Sequence, residues 1–141
     1  MQLFGRRPYD ELPSYLKGFD VCLNPYVLDG TALNCSPLKL YEYIASGKPV
    51  VSVDMPEARR FGDTVLIGRN YDEILSQLER ALDPSQTSAA AVASRMTAAA
   101  PHSWEARFQQ MEAALWRACD ARRYSRESKT LSVPFINPPM Y

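Results

Sequence analysis

The chain has 141 residues, enough for one domain with one core at the usual size of about 100–200 residues per domain. Sixteen basic and sixteen acidic residues leave a formal net charge of zero, which excludes a global field for nucleic acid, acidic polymers or an anionic membrane surface, so any anion site is local. Three cysteines without metal-ligand spacing exclude a disulfide framework, and no apolar run reaches the roughly 18 to 20 residues of a membrane span; with no signal-peptide pattern at the start, the expectation is a cytoplasmic protein with reduced thiols.

Residues 1–5 look like the end of a strand, followed by a polar turn at Arg6 and Arg7, which read as solvated arginines. Residues 10–18 carry Asp10 and Glu11 at the front, Lys17 near the back and a terminal Gly18, which are start and stop signals for a short helix with Leu12, Tyr15 and Leu16 as its buried stripe. Residues 19–25 form the next strand. Its Asn24-Pro25 end opens a loop to Cys35, and ligands collect at such carboxyl ends in an open α/β sheet. Within the loop Asp29-Gly30 marks a turn, and Thr31 and Asn34 carry groups able to hydrogen-bond a sugar; an exposed polar loop explains them equally well.

The most informative stretch is Ser36-Pro37-Leu38-Lys39-Leu40-Tyr41-Glu42-Tyr43-Ile44-Ala45-Ser46-Gly47-Lys48-Pro49-Val50-Val51. Ser36 suits an N-cap and Pro37 the first helical position. Leu40, Tyr41, Ile44 and Ala45 share an apolar face, Gly47 fits a left-handed helix end, and Pro49 forbids continuation. Residues 49–53 then form a short β-branched run of the kind buried in a parallel sheet. A helix opening after a strand and loop presents unpaired amides, here of Leu38 and Lys39, and a positive dipole end, which suit a diphosphate. Lys39 adds a charge, and Glu42 offers a carboxylate to sugar hydroxyls just over a turn along, so the segment describes a nucleotide-sugar site. Packing alone accounts for the tyrosines and Ile44, but not for Glu42 in an otherwise apolar helix.

That stretch resembles the donor-binding segment of GT-B glycosyltransferases (group 1, family-4-like), which have two facing Rossmann-like domains. The likeness covers residues 3–117 and is most specific in the helix and strand just quoted. In that family two acids separated by seven residues bracket the start of this helix; the first contacts the donor sugar and the second binds ribose. Glu42 matches the second, and Asn34 stands in the place of the first, where its amide supplies a hydrogen bond but no negative charge. The resemblance implies an α/β fold, the C-terminal half of a doubly wound parallel Rossmann-like sheet followed by C-terminal helices, with residues 1–123 as a partial donor domain. Donor binding falls to Thr31, Asn34, Ser36, Pro37, Leu38, Lys39 and Glu42, the catalytic residues stay unassigned, and neither a cofactor nor a metal is required. The chain begins where the family has a mid-domain strand near Leu3, so it is expected to need a partner: a missing N-terminal half, a complementary subunit or a second copy covering that strand's open edge.

Asp54 and Glu57 fall at the functional end of the sheet and read as turn formers or helix caps; residues 58–61 suit a single helical turn and residues 64–68 a short strand. Residues 71–82 form an amphipathic helix on Ile74, Leu75, Leu78, Ala81 and Leu82. Residues 85–100, rich in alanine, form a weakly anchored helix ended by Pro101. Ser103 caps the last helix, whose Trp104, Phe108, Met111 and Leu115 form a core-facing stripe, and His102, the single histidine, reads as structural. Residues 124–141 read as a disordered tail, in which Pro138-Pro139-Met140-Tyr141 matches a WW-domain ligand by chance. Besides the donor half of a glycosyltransferase, two readings stay open: a nucleotide-sugar-binding module without turnover, and an unrelated Rossmann-like fold such as an epimerase.

Overall fold

A computed structural model describes residues 5–130, with side chains described as far as residue 122. The chain divides into two compact units, one ending at His102 and the other beginning at Ser103. The first unit is α/β. Its elements are α1 (Leu12–Lys17), β1 (Cys22–Asn24), α2 (Leu38–Ala45), β2 (Val50–Val53), α3 (Pro56–Arg59), β3 (Leu66–Gly68), α4 (Tyr71–Ala81) and α5 (Ala89–Ala99), with short 3-10 turns between them. The strand near Leu3 lies outside the described residues.

The three strands are parallel in the order β1-β2-β3, with Cys22 opposite Val50 and Val51 opposite Leu66. Successive residues of β2 point to opposite faces, and each face is covered. Val50 joins Leu16, Cys22, Leu40, Ile44, Met55 and Phe61 in one core cluster, while Val51 joins Leu66 and Ala81 beneath Ile74 and Leu78. Helices on both faces of a parallel sheet make this the Rossmann-like half expected from the sequence. The β1 strand is shorter than the run 19–25 because Phe19 and Asp20 are exposed ahead of it.

Helix α2 ends as the sequence requires. Gly47 takes a φ of 74°, and a Cβ there would meet Val92 Cγ1 of α5 at 2.7 Å, so glycine answers both the left-handed turn and the close approach. Helix α5 is anchored differently from expectation. Its few apolar groups are supplemented by Arg95, only 4% exposed, whose Nε donates to the Gly47 carbonyl at 2.8 Å and whose other nitrogens reach Gln86. Buried, that guanidinium meets carbonyls and an amide oxygen, and desolvation pushes its pKa below the usual value.

The second unit is α6 (Trp104–Thr130), capped by Ser103, whose Oγ accepts from the Ala106 amide at 3.1 Å. Trp104, Phe108, Met111 and Leu115, the stripe expected to face a core, are exposed on this helix taken by itself. The helix also runs through residues 124–130, where a disordered tail was expected. Arg126, Glu127 and Lys129 there are good helix formers, and propensity extends the helix without an apolar period. Residues 131–141 and their proline motif lie outside the described residues.

Candidate functional site

The candidate site is the start of α2, reached from the carboxyl end of β1 through residues 25–37. Asp29 organises that loop: its Oδ1 accepts from the amides of Thr31 at 3.0 Å and Ala32 at 2.9 Å, which closes the 3-10 turn Ala32–Asn34. Thr31 and Asn34 are exposed on this turn. The Asn34 amide donates to the Gly30 carbonyl at 2.7 Å, so it braces the loop as well as presenting its oxygen.

The helix begins one residue later than the sequence suggests. Pro37, with φ −69° and ψ 119°, holds the N-cap position, Leu38 is the first helical residue, and no side chain caps the start. The expected Ser36 cap therefore does not form. A proline cannot cap with its side chain, so the first-turn amides of Leu38 and Lys39 are left without a capping side chain. Pro37 is buried, whereas Ser36 and Leu38 are exposed.

Lys39 and Glu42, both half-buried, are turned to partners remote in sequence. The Lys39 ammonium lies 4.4 Å from the centre of the Tyr26 ring. Glu42 Oε1 accepts from the Tyr9 hydroxyl at 2.8 Å, and that bond, with the carboxylate's charge, raises the Tyr9 pKa. Glu42 also lines a cavity of about 440 Å³ between α1 and α2, walled by Leu12, Pro13, Leu16 and Ala45. Ser36, Pro37, Leu38 and Lys39 do not line that cavity. Leu38 and Glu42 stand four positions apart, so they share a helix face about 6 Å apart along the axis.

Behind α2 stands a feature that the sequence reading assigned only to a turn. Glu57, in the first turn of α3, is 8% exposed. It accepts from the Tyr41 hydroxyl in a short hydrogen bond, and Arg60 Nη1 lies 3.3 Å from its Oε2. Burial pushes its carboxyl up, but the Tyr41 and Ser36 hydroxyls and Arg60 outweigh it, holding the pKa below the usual glutamate value. The signal that pointed to it was position alone, an acid four residues past the carboxyl end of a buried strand. Asp54, the other acid there, pairs with Arg59 at 2.6 Å and Arg69 at 3.1 Å, and these bonds depress its pKa. Among the described residues no group of three His, Cys, Asp or Glu side chains is placed to hold a metal ion, and no helix is long and apolar enough to cross a membrane.

The comparisons with known proteins bear on this arrangement directly. The model of a family described as "Glycosyl transferase-like" matches residues 2–113, which include β1, α2, the cavity and Glu57. The chain belongs to this family. It is also similar to "Putative teichuronic acid biosynthesis glycosyltransferase TuaH" of Bacillus subtilis (strain 168), with 27% identity over 95 residues covering 54% of this chain and 24% of that protein. The match thus spans about a quarter of the relative's length. No solved structure matches the chain.

Proposed function

We propose that this chain is the donor-binding portion of a glycosyltransferase of GT-B type, taking a nucleoside diphosphate sugar at the start of α2. The observation that carries the reading is the placement of Glu42: a half-buried carboxylate at a largely apolar cavity, on the same helix face as an uncapped first turn. In this assignment the Leu38 and Lys39 amides and the Lys39 ammonium receive the diphosphate, Glu42 holds the ribose hydroxyls, and Leu12, Pro13 and Leu16 wall the nucleoside. Thr31 and Asn34 read the sugar. Fixed amide dipoles and a lysine stabilise the leaving diphosphate as its charge develops, which needs no metal.

Both charged groups have partners they share or give up. A carboxylate has about four lone-pair sites and Tyr9 occupies one, so Glu42 retains capacity for a sugar hydroxyl. The Lys39 contact with Tyr26 is worth about 0.5–1 kcal/mol at an open site, less than the roughly 1.5–3 kcal/mol of a charge-assisted hydrogen bond, so a phosphate displaces it. The acceptor side of the reaction falls to a further polypeptide or domain, and the cysteines described, all free thiols, support a cytoplasmic location.

The test is calorimetry with uridine, guanosine, adenosine and thymidine diphosphates. Glu42→Ala is expected to weaken binding by about 1 to 3 kcal/mol; unchanged affinity would remove the assignment. A second reading, a binding module without turnover, is favoured by Asn34, whose amide is uncharged and engaged with Gly30. Incubation of the chain with a panel of nucleotide sugars separates the two, since hydrolysis or transfer requires the enzyme and binding alone the module.

A further inference from the structure

Glu57 raises a question that the donor site does not answer. A buried carboxylate is costly unless charged and polar partners surround it, and a buried ion pair is weak evidence for stability. Here the partners come from separate segments: Tyr41 from inside α2 and Arg60 from the end of α3. The Tyr41 ring is fixed as well as its hydroxyl. Phe61 meets it edge-on with centroids 5.5 Å apart, and His102 lies 5.1 Å away. Helix α2 has no side-chain cap of its own, so the placement of its first turn comes from contacts such as these. Arg60 offsets the Glu57 charge, which removes the repulsion that an anion at the first turn would otherwise meet.

We infer that Glu57 is a positioning residue of the donor site: through Tyr41 it seats the first turn of α2, aiming the Leu38 and Lys39 amides at the diphosphate. The inference rests on the donor-site reading above. It separates two parts of one ligand, because the amides touch the diphosphate whereas Glu42 and the cavity touch the nucleoside. Loss of the Glu57 link therefore weakens the hold on phosphate and leaves the hold on nucleoside.

The experiment measures calorimetric or NMR-titration affinities for uridine, guanosine, adenosine and thymidine diphosphates and for the four matching nucleosides. The full chain is compared with Tyr41→Phe, Ser36→Ala, Glu57→Gln and Glu42→Ala, with thermal unfolding recorded for each. Tyr41→Phe and Glu57→Gln are expected to lower the ratio of diphosphate to nucleoside affinity by roughly three- to tenfold, the scale of one lost hydrogen bond. Glu42→Ala is expected to lower both affinities and keep the ratio. A merely structural role for Glu57 would lower the melting temperature and both affinities together, and an unchanged ratio in Tyr41→Phe overturns the inference while the donor site stands. If Glu57→Gln does not fold, Tyr41→Phe decides, since it removes one hydroxyl and keeps the ring packing. If no diphosphate binds the unaltered chain, the donor-site reading fails and this inference fails with it.

Discussion

Three helices of the first unit follow the carboxyl ends of strands, and two of them, α2 and α4, begin in opposite ways. At α4 the closure is local: Asn70 Oδ1 accepts from the Glu73 amide at 2.9 Å, Asn70 Nδ2 donates to Glu73 Oε1 at 3.0 Å, and Glu73 Oε2 accepts from the Arg69 amide at 2.9 Å. Three residues, Arg69, Asn70 and Glu73, satisfy one another across the turn. At α2 no side chain caps the start, and Glu42, Lys39 and Tyr41 are held by Tyr9, Tyr26 and Glu57 from elsewhere in the chain. The comparison teaches that a helix start closed by its neighbours is finished as structure, whereas one held by distant contacts keeps its amides for another use.

The strongest way to break the comparison is to remove what seats α2. Ile44 is fully buried, so Ile44→Ala should destabilise the fold by about 2–5 kcal/mol in urea unfolding. On α4, Leu75 is 41% exposed, and Leu75→Ala should cost less than about 1 kcal/mol. The two caps sharpen the contrast next. Asn70→Ala should cost about 1 kcal/mol of stability and leave nucleotide affinity alone, while Ser36→Ala should cost less stability and lower diphosphate affinity. Equal stability losses at the two positions would erase the difference.

Smaller effects follow from titration. Glu57 is held below its ordinary value of 4.5, so its contribution to stability is fully present above about pH 4.5 and is lost as pH falls through the depressed value. Denaturation midpoints of Tyr41→Phe measured down the acid limb should fall less steeply than those of the unaltered chain. Burial pushes the Cys22 thiol up to about 11 from 9.0, with Lys48 opposing, so its contribution is complete below pH 9.0 and disappears as pH rises towards 11. Cys22→Ala should flatten the stability curve between those values. A thiol reagent at neutral pH should label exposed Cys119 well before Cys22.

Much of this was legible because it is written locally. Gly47 before Lys48-Pro49 announces the end of α2, the β-branched run announces β2, and Ile74, Leu78 and Ala81 at helical spacing announce the packed face of α4. Leu82, expected on that face, stands past the helix end and is exposed. What was not legible depends on contacts across the fold. Ser36 has the chemistry of a cap, yet it stands one residue ahead of Pro37, which takes the cap position with a backbone that a sequence pattern does not distinguish from the first helical turn. Tyr9 beside Glu42, and Glu57 beside Tyr41, lie 33 and 16 residues from their partners, beyond any local period. The alanine-rich helix was read from its lack of large apolar groups, a measure that does not register a buried arginine.

Arg95 also has a consequence for the helix it touches. A guanidinium drawn against the backbone just past Ser46 gives the negative pole of α2 a partner inside the fold. The opposite pole receives no such neutraliser from its own sequence neighbours. The helix is thereby polarised outward, like a magnet with a keeper on one end, and the diphosphate proposed above would complete its electrostatics from solution.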